Sequence, residues 1–171
     1  PVVNAVAPLI HIVDDDEAIR DALTWLFRSR HVESRAWPSA EAFLADWRDD
    51  LRGCLVLDVR MGGMSGLQLF DLLVERGSRL PVIFLSGHGD IPLAVAAVKK
   101  GAFDFVEKPL ETERLLVLVR NAVDSRRLRA ENRTLRKDQE KRHQIVGDSP
   151  GLGTVKAAIV KAAPTSATVL I

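Results

Sequence analysis

Five short apolar runs rich in β-branched residues punctuate the chain up to Pro109: Leu9 to Val13, Val32 to Trp37, Cys54 to Leu57, Pro81 to Leu85 and Phe103 to Val106. Runs of this length without alternation read as strands buried on both faces. Between them the apolar residues recur at helical spacing. Glu17 to Arg30 carries Ile19, Leu23, Leu26 and Phe27, and Ser39 to Leu51 opens on an N-cap serine and buries Phe43, Leu44 and Trp47. Leu67 to Arg76 and Ile91 to Lys100 complete the pattern. Parallel strands need crossover connections, and right-handed crossovers put helices on both faces. The expected fold is α/β: a five-stranded parallel sheet of flavodoxin-like order 2-1-3-4-5, covered by helices on both sides.

A chain of 171 residues has room for one such domain plus an accessory segment. The expected division is a globule over 1–119, an extended helical linker over 120–143 and a separate segment over 144–171. After Pro109 a stretch from Thr112 to Arg142 contains no Gly or Pro, longer than an ordinary globular helix. The net charge of +1 hides a segregation. Residues 120–143 hold nine basic side chains against four acidic ones, whereas residues 1–119 are net −5. Leu118, Asn121, Ser125, Leu128, Asn132 and Leu135 alternate spacings of three and four, a short coiled-coil seam with Asn132 as its register-setting polar position. A homodimer through this helix is expected; a solvated basic helix or a nucleic-acid arm is the alternative. Cys54 is the lone cysteine, which excludes an internal disulfide or a multi-Cys zinc site and points to a reducing, cytoplasmic setting. No apolar run approaches the ~20 residues of a membrane span.

Chemistry gathers at the carboxyl ends of the strands, where open α/β sheets bind ligands. The first strand runs straight into Asp14, Asp15 and Asp16, and the third ends at Asp58. If those strands are neighbours, three carboxylates share one crevice and repel one another unless a cation is present. A hard divalent cation with oxygen ligands, Mg²⁺ before Ca²⁺, supplies that compensation. An Asp after a strand also caps helices, and Asp16 is the residue for which capping alone suffices. The fourth strand brings Ser86 to the same edge and the fifth brings Lys108, followed by Pro109. An acid cluster, a hydroxyl, a lysine and a cation can together accept a phosphoryl group on one carboxylate.

The segments HIVDDDEAIR, LVLDVRMGGMSG, VIFLSGHGDIPLAV and KKGAFDFVEKPL resemble, in order and spacing, the receiver domain of bacterial two-component response regulators. The resemblance spans about residues 8–125. It implies that Asp58 is the phosphoacceptor and that Asp15, Asp58 and the Arg60 carbonyl bind Mg²⁺, with Asp14 acting through water. It further implies that Ser86 contacts the phosphoryl group, that Lys108 bridges to it and that Phe105 is an aromatic switch. The donor would be a histidine on a sensor kinase. Gly62 departs from the family, which usually has Pro there, and Ser86 stands where Thr is common. SGHGDIPLAV and the long last helix look most like regulators of the nitrogen-regulator C (NtrC) class of sigma-54-dependent activators, the C4-dicarboxylate transport regulators in particular. Residues 144–171 are similar to the opening of an AAA+ ATPase module, with a strand at Thr168 to Ile171. The sequence has no G-x-x-x-x-G-K-[ST] loop, so ATP hydrolysis by this chain is not expected. The full-length protein would then work on sigma-54 RNA polymerase and DNA.

Rival readings fare less well. A flavodoxin-like FMN carrier would share the strand order, but three acids after the first strand repel phosphate. A Mg²⁺-dependent phosphohydrolase working through an aspartyl phosphate typically has a second acid two residues after its nucleophile; that position is Arg60. The basic helix lacks a helix-turn-helix pattern. His11 reads as a packed strand residue, His88 needs no catalytic role, Trp25, Trp37 and Trp47 read as core or face residues, and Cys54 as a small buried hydrophobe.

Overall fold

A computed structural model describes residues 9–143 and residue 157, with side chains described to residue 137 and at 157. The expected ATPase opening over 144–171, with its strand at Thr168 to Ile171, lies outside the described residues except for that one position. Ten elements follow one another: β1 (Ile10–Val13), α1 (Glu17–Ser29), β2 (Ser34–Trp37), α2 (Ala40–Ala45), β3 (Cys54–Asp58), α3 (Gly66–Glu75), β4 (Val82–Ser86), α4 (Ile91–Lys99), β5 (Asp104–Glu107) and α5 (Thr112–His143). The strands form one sheet of order β2-β1-β3-β4-β5, and every pairing is parallel.

Side chains alternate across a strand, so each central strand feeds two cores. Ile10, Ile12, Cys54, Val56, Ile83 and Leu85 pack with Leu23, Leu26 and Phe27 of α1 and with Leu115, Val119 and Ala122 of α5. Leu55, Leu57, Val82 and Phe84 face the other way, against Phe43 of α2, Leu69, Phe70 and Leu73 of α3 and Ala97 of α4. The same alternation aims the strand-end acids. Val13 pairs with Leu57, so one step further Asp14 and Asp58 leave neighbouring strands side by side.

α2 stops at Ala45, well short of the expected Leu51. Asp46 accepts hydrogen bonds from Arg35 Nη2 at 2.7 Å and Trp37 Nε1 at 2.9 Å, which draws the chain back toward β2. Asp46, Asp49 and Asp50 also lie at the negative end of that helix, where acids oppose its dipole. Trp47 is consequently half-buried, its indole N–H donating to Asp49. Of the other tryptophans, Trp37 is buried and Trp25 is 71% exposed, because Leu23, Leu26 and Phe27 occupy the inner stripe of α1. Cys54 is buried among apolar neighbours, as its sequence context suggests. His11 is also buried, its Nε2 donating to the Arg52 carbonyl at 2.9 Å and its ring stacked on Trp37. Burial holds the imidazole below its ordinary pKa against the raising effect of the Arg52 carbonyl.

Phe27 is fully buried between α1 and the sheet. Phe27→Ala should therefore destabilise the domain by about 3–5 kcal/mol, the usual cost of emptying a buried aromatic site. Urea unfolding measures it, and a loss below about 1 kcal/mol, typical of surface positions, would contradict this packing.

Candidate functional site

The acid edge begins where β1 ends. Asp14 is fully buried, with Oδ1 accepting the Asp16 N–H at 2.9 Å. Asp16 turns the other way and caps α1, accepting the Ala18 N–H at 2.9 Å. Asp15 is exposed. Arg20, one turn into α1, reaches back with Nη1 to the carbonyls of Asp14 at 2.9 Å and Asp15 at 3.0 Å, pinning the turn that carries both acids. Capping thus accounts for Asp16 and leaves the Asp14 and Asp15 carboxylates to the crevice.

β3 delivers Asp58 beside them, 6% exposed. Asp14, Asp15 and Asp58 each offer a carboxylate oxygen, and the three atoms lie within 4.8 Å of one another. Lys108, just beyond β5, places Nζ 3.0 Å from Asp58 Oδ1 and 3.1 Å from Asp14 Oδ2. The Lys108–Pro109 peptide is cis, and the Lys108 N–H donates to the Ser86 carbonyl at 2.8 Å. Burial first and the Asp14 charge second push the Asp58 carboxyl up to about 6, against the opposing pull of Lys108. Burial pulls the Lys108 ammonium down, but its bonds to Asp58 and Asp14 outweigh that and leave it above its ordinary value. Three acids against one ammonium leave an excess of negative oxygen ligands, the donor set of a hard divalent cation.

The loop after β3 is tied on three sides by bonds that sequence reasoning missed. The Arg60 guanidinium pairs with Asp90, which stands at the N-cap of α4 without capping it. The Gly62 N–H donates to Asp15 Oδ2 at 3.2 Å, and the Met64 N–H donates to Glu41 Oε1 at 2.8 Å. Accepting that bond, first among its causes, holds the Glu41 carboxyl below its usual range. Gly66 opens α3 so close to β3 that a Cβ there would fall 1.9 Å from the Asp58 carbonyl oxygen. The signals for Gly66 and Arg20 lay in the motifs DVRMGGMSG and HIVDDDEAIR; Glu41 and Asp90 are far from Asp58 in sequence and had none.

Ser86 is fully buried at the end of β4, its hydroxyl donating to the Gly87 carbonyl at 3.3 Å. Phe105 lies opposite Phe84 in the β4–β5 register and is half-buried against the α2–α4 core. His88 is 93% exposed in its side chain and pairs with Glu107. Along α5, Leu118 packs against the α1-side core and is half-buried there, whereas Leu128 and Leu135 are 55% and 62% exposed and Asn132 is exposed.

The response regulator receiver domain profile matches residues 10–120, which takes in every strand and the whole acid edge. The chain belongs to the response regulator receiver family. Over 116 residues it is 51% identical to the C4-dicarboxylate transport transcriptional regulatory protein DctR of Rhodobacter capsulatus, covering 67% of this chain and 59% of that protein. It is 35% identical over 168 residues to the corresponding regulator DctD of Rhizobium meliloti, covering 96% of this chain and 36% of that protein. A crystal structure of NtrX from Brucella abortus superposes with a TM-score of 0.70 at 33% identity, covering 94% of this chain and 35% of NtrX. The chain therefore spans between about a third and three fifths of the length of these relatives. It is a two-component receiver, and no helix among its described residues is long and apolar enough to cross a membrane.

In this receiver the folded Asp58 binds its proton up to about pH 6 while the unfolded chain releases it near 3.8, so stability falls as the pH rises through that interval. In cation-free buffer Asp58→Asn should melt higher than the wild type at pH 7, at about 2–4 °C for each kcal/mol recovered. The two curves should converge below about pH 4, where the ordinary carboxyl is protonated. Equal melting temperatures at pH 7 would contradict the repulsion.

Proposed function

We propose that Asp58 is the phosphoacceptor of this receiver, taking a phosphoryl group from a histidine of a sensor kinase in the cytoplasm. The observation that carries the reading is the bond from Lys108 Nζ to Asp58 Oδ1 inside a crevice of three carboxylates. Lys108 holds one oxygen of Asp58 and leaves the other to attack phosphorus. The new O–P bond forms as the P–N bond to the donor imidazole breaks, and its electron pair stays on the leaving nitrogen, which takes a proton from water. Although raised to about 6, Asp58 remains largely ionised at neutral pH and so keeps its lone pairs for attack.

Asp14, Asp15, Asp58 and the Arg60 main-chain carbonyl would hold Mg²⁺, with Asp14 acting through water. The fit rests on their hard oxygen atoms and on the carboxylate excess. When bound, the ion neutralises charge on the phosphoryl oxygens and on the acids. Once Asp58 carries the phosphoryl group, Lys108 keeps contact as a point charge. The Ser86 hydroxyl exchanges its Gly87 carbonyl for a phosphoryl oxygen, and Phe105 turns inward to fill the space vacated beside it. A local charge change is thus read by a bistable element on the α4–β5 face.

The division into a receiver over 1–119, a linker over 120–143 and the start of an AAA+ module over 144–171 is part of the same proposal. Its support is the similarity to DctD and NtrX over nearly the whole chain, which extends beyond the receiver. Output would pass through the linker to an NtrC-class ATPase acting on sigma-54 RNA polymerase at DNA. The exposed Leu128 and Leu135 with Asn132 between them offer a seam for a homodimer; Leu118 is spent on the receiver's own core and lends the seam little.

Incubated with acetyl phosphate and Mg²⁺, the wild type should gain one phosphoryl mass that Asp58→Asn lacks, and omission of Mg²⁺ should abolish the gain. Asp15→Asn should need more Mg²⁺, and Lys108→Ala should label without transmitting the change. Intact-mass spectrometry reads this, and an adduct retained by Asp58→Asn would overturn the assignment. For the linker, sedimentation should show a concentration-dependent dimer that weakens in Leu128→Ala/Leu135→Ala; a monomer at every concentration, with and without phosphoryl label, would exclude it.

A further inference from the structure

The acids stand at the carboxyl ends of the strands; at the amino ends, across the sheet, three arginines arrive from three elements. Arg52 precedes β3 by two residues and Arg79 precedes β4 by three. The entries to those strands are neighbours, with the Leu55 N–H donating to the Pro81 carbonyl at 2.9 Å. On α5, Leu115, Val119 and Ala122 pack into the same core as Cys54, the first residue of β3. Arg126 continues that stripe one turn further along the helix.

Arg52 and Arg79 are exposed, whereas Arg126 is half-buried and its Nη1 is buried without a hydrogen-bond partner. None of the three guanidiniums makes an ion pair among the described residues, and Asp124, two positions before Arg126, is paired with Arg127 at 3.8 Å. Burial first, then the Arg52 and Arg79 charges, hold the Arg126 guanidinium below its ordinary pKa. A carboxylate in such a position escapes by taking up a proton, but a guanidinium stays charged in proteins. Relief of the three charges, and a partner for the buried N–H, have to come from an anion.

We propose that Arg52, Arg79 and Arg126 form an oxyanion site at the amino edge of the sheet that takes a phosphate group, either free phosphate or the phosphate of a small phosphorylated metabolite. A carboxylate brings one charge and two oxygens, which suit a single guanidinium fork. A phosphate group brings more charge and oxygens enough for guanidiniums that approach from three elements. The ligand joins α5 to the loops that enter β3 and β4, and so fastens the helix to the sheet just before Leu128, where its apolar side chains become exposed. The site uses none of the residues of the acid crevice and needs no divalent cation.

Thermal unfolding of the full chain in Mg²⁺-free buffer tests this, with sodium phosphate, AMP and sodium chloride compared at matched ionic strength. Phosphate or AMP should raise the melting temperature of the wild type along a saturating curve, and chloride should not. A tighter curve for AMP than for phosphate would support the site and assign it to a phosphorylated metabolite; the reverse would support it and assign it to free phosphate. Arg126→Gln removes the buried partner and should weaken binding about tenfold or more. Arg79→Gln removes an exposed one and should weaken it up to about fivefold. Equal stabilisation by all three solutes would reduce the effect to screening and overturn the proposal, as would an unchanged curve in Arg126→Gln. A duplex oligonucleotide that binds where phosphate and AMP do not would also overturn it, by assigning the basic charge to nucleic acid. Should Arg126→Gln fail to fold, Arg52→Gln/Arg79→Gln, altered only at exposed positions, decides: retained wild-type affinity would overturn the proposal.

Discussion

Three carboxylates crowded against their own repulsion are the constraint on which the rest of this receiver depends. Asp14, Asp15 and Asp58 bring oxygens within 4.8 Å of one another, and two of the three are buried. A chain free to move would separate them. The sheet prevents that: β1 and β3 are adjacent, parallel and sealed on both faces, and their register carries Asp14 and Asp58 off the edge side by side. Lys108 reduces the repulsion without abolishing it, and burial first with the Asp14 charge second still lifts the Asp58 carboxyl to about 6. The unrelieved part leaves an excess of negative oxygen ligands, the kind of donor set a hard divalent cation takes.

The surroundings of the crevice follow from that strain. Arg20 pins the turn carrying Asp14 and Asp15, Gly66 lets α3 start against the Asp58 carbonyl, and the loop between β3 and α3 is laced to Asp90, Asp15 and Glu41. Each bond draws a different element, α1, α3, α4 or α2, toward the acid edge. The loop that leaves Asp58 is therefore tied by direct contacts to several elements. The Asp90 carboxylate is the clearest case, since it forgoes capping α4 in order to hold Arg60, two residues beyond Asp58.

Much of this was legible in the sequence because buried parallel strands leave an unmistakable signature. The five expected strands and five expected helices are present among the described residues, with α2 ending short, and the strands take the expected flavodoxin-like order. The acids, Ser86 and Lys108 were legible because strand ends are easy to locate once strands are. The end of α2 was not, because Asp46 is drawn back by Arg35 and Trp37, contacts that exist only in the folded sheet. Trp25 was assigned to the core or a face, yet it stands largely in solvent, because composition alone does not reveal which stripe of α1 turns inward. Gly62 was noted only as a departure from the usual proline; that its N–H reaches Asp15 needed coordinates. Along α5 the sequence pattern ran Leu118 into the same seam as Leu128 and Leu135, whereas packing spends Leu118 on the receiver core.

The measurement that bears most directly on this account is a ¹³C NMR titration of the Asp58 side-chain carboxyl in the cation-free protein. The account predicts a midpoint near about 6, clearly above the ordinary 3.8, set by burial and by the neighbouring Asp14 charge. A midpoint at or below 3.8 would mean that Lys108 fully compensates the cluster, and the crowded, under-neutralised acid edge on which the account rests would be wrong.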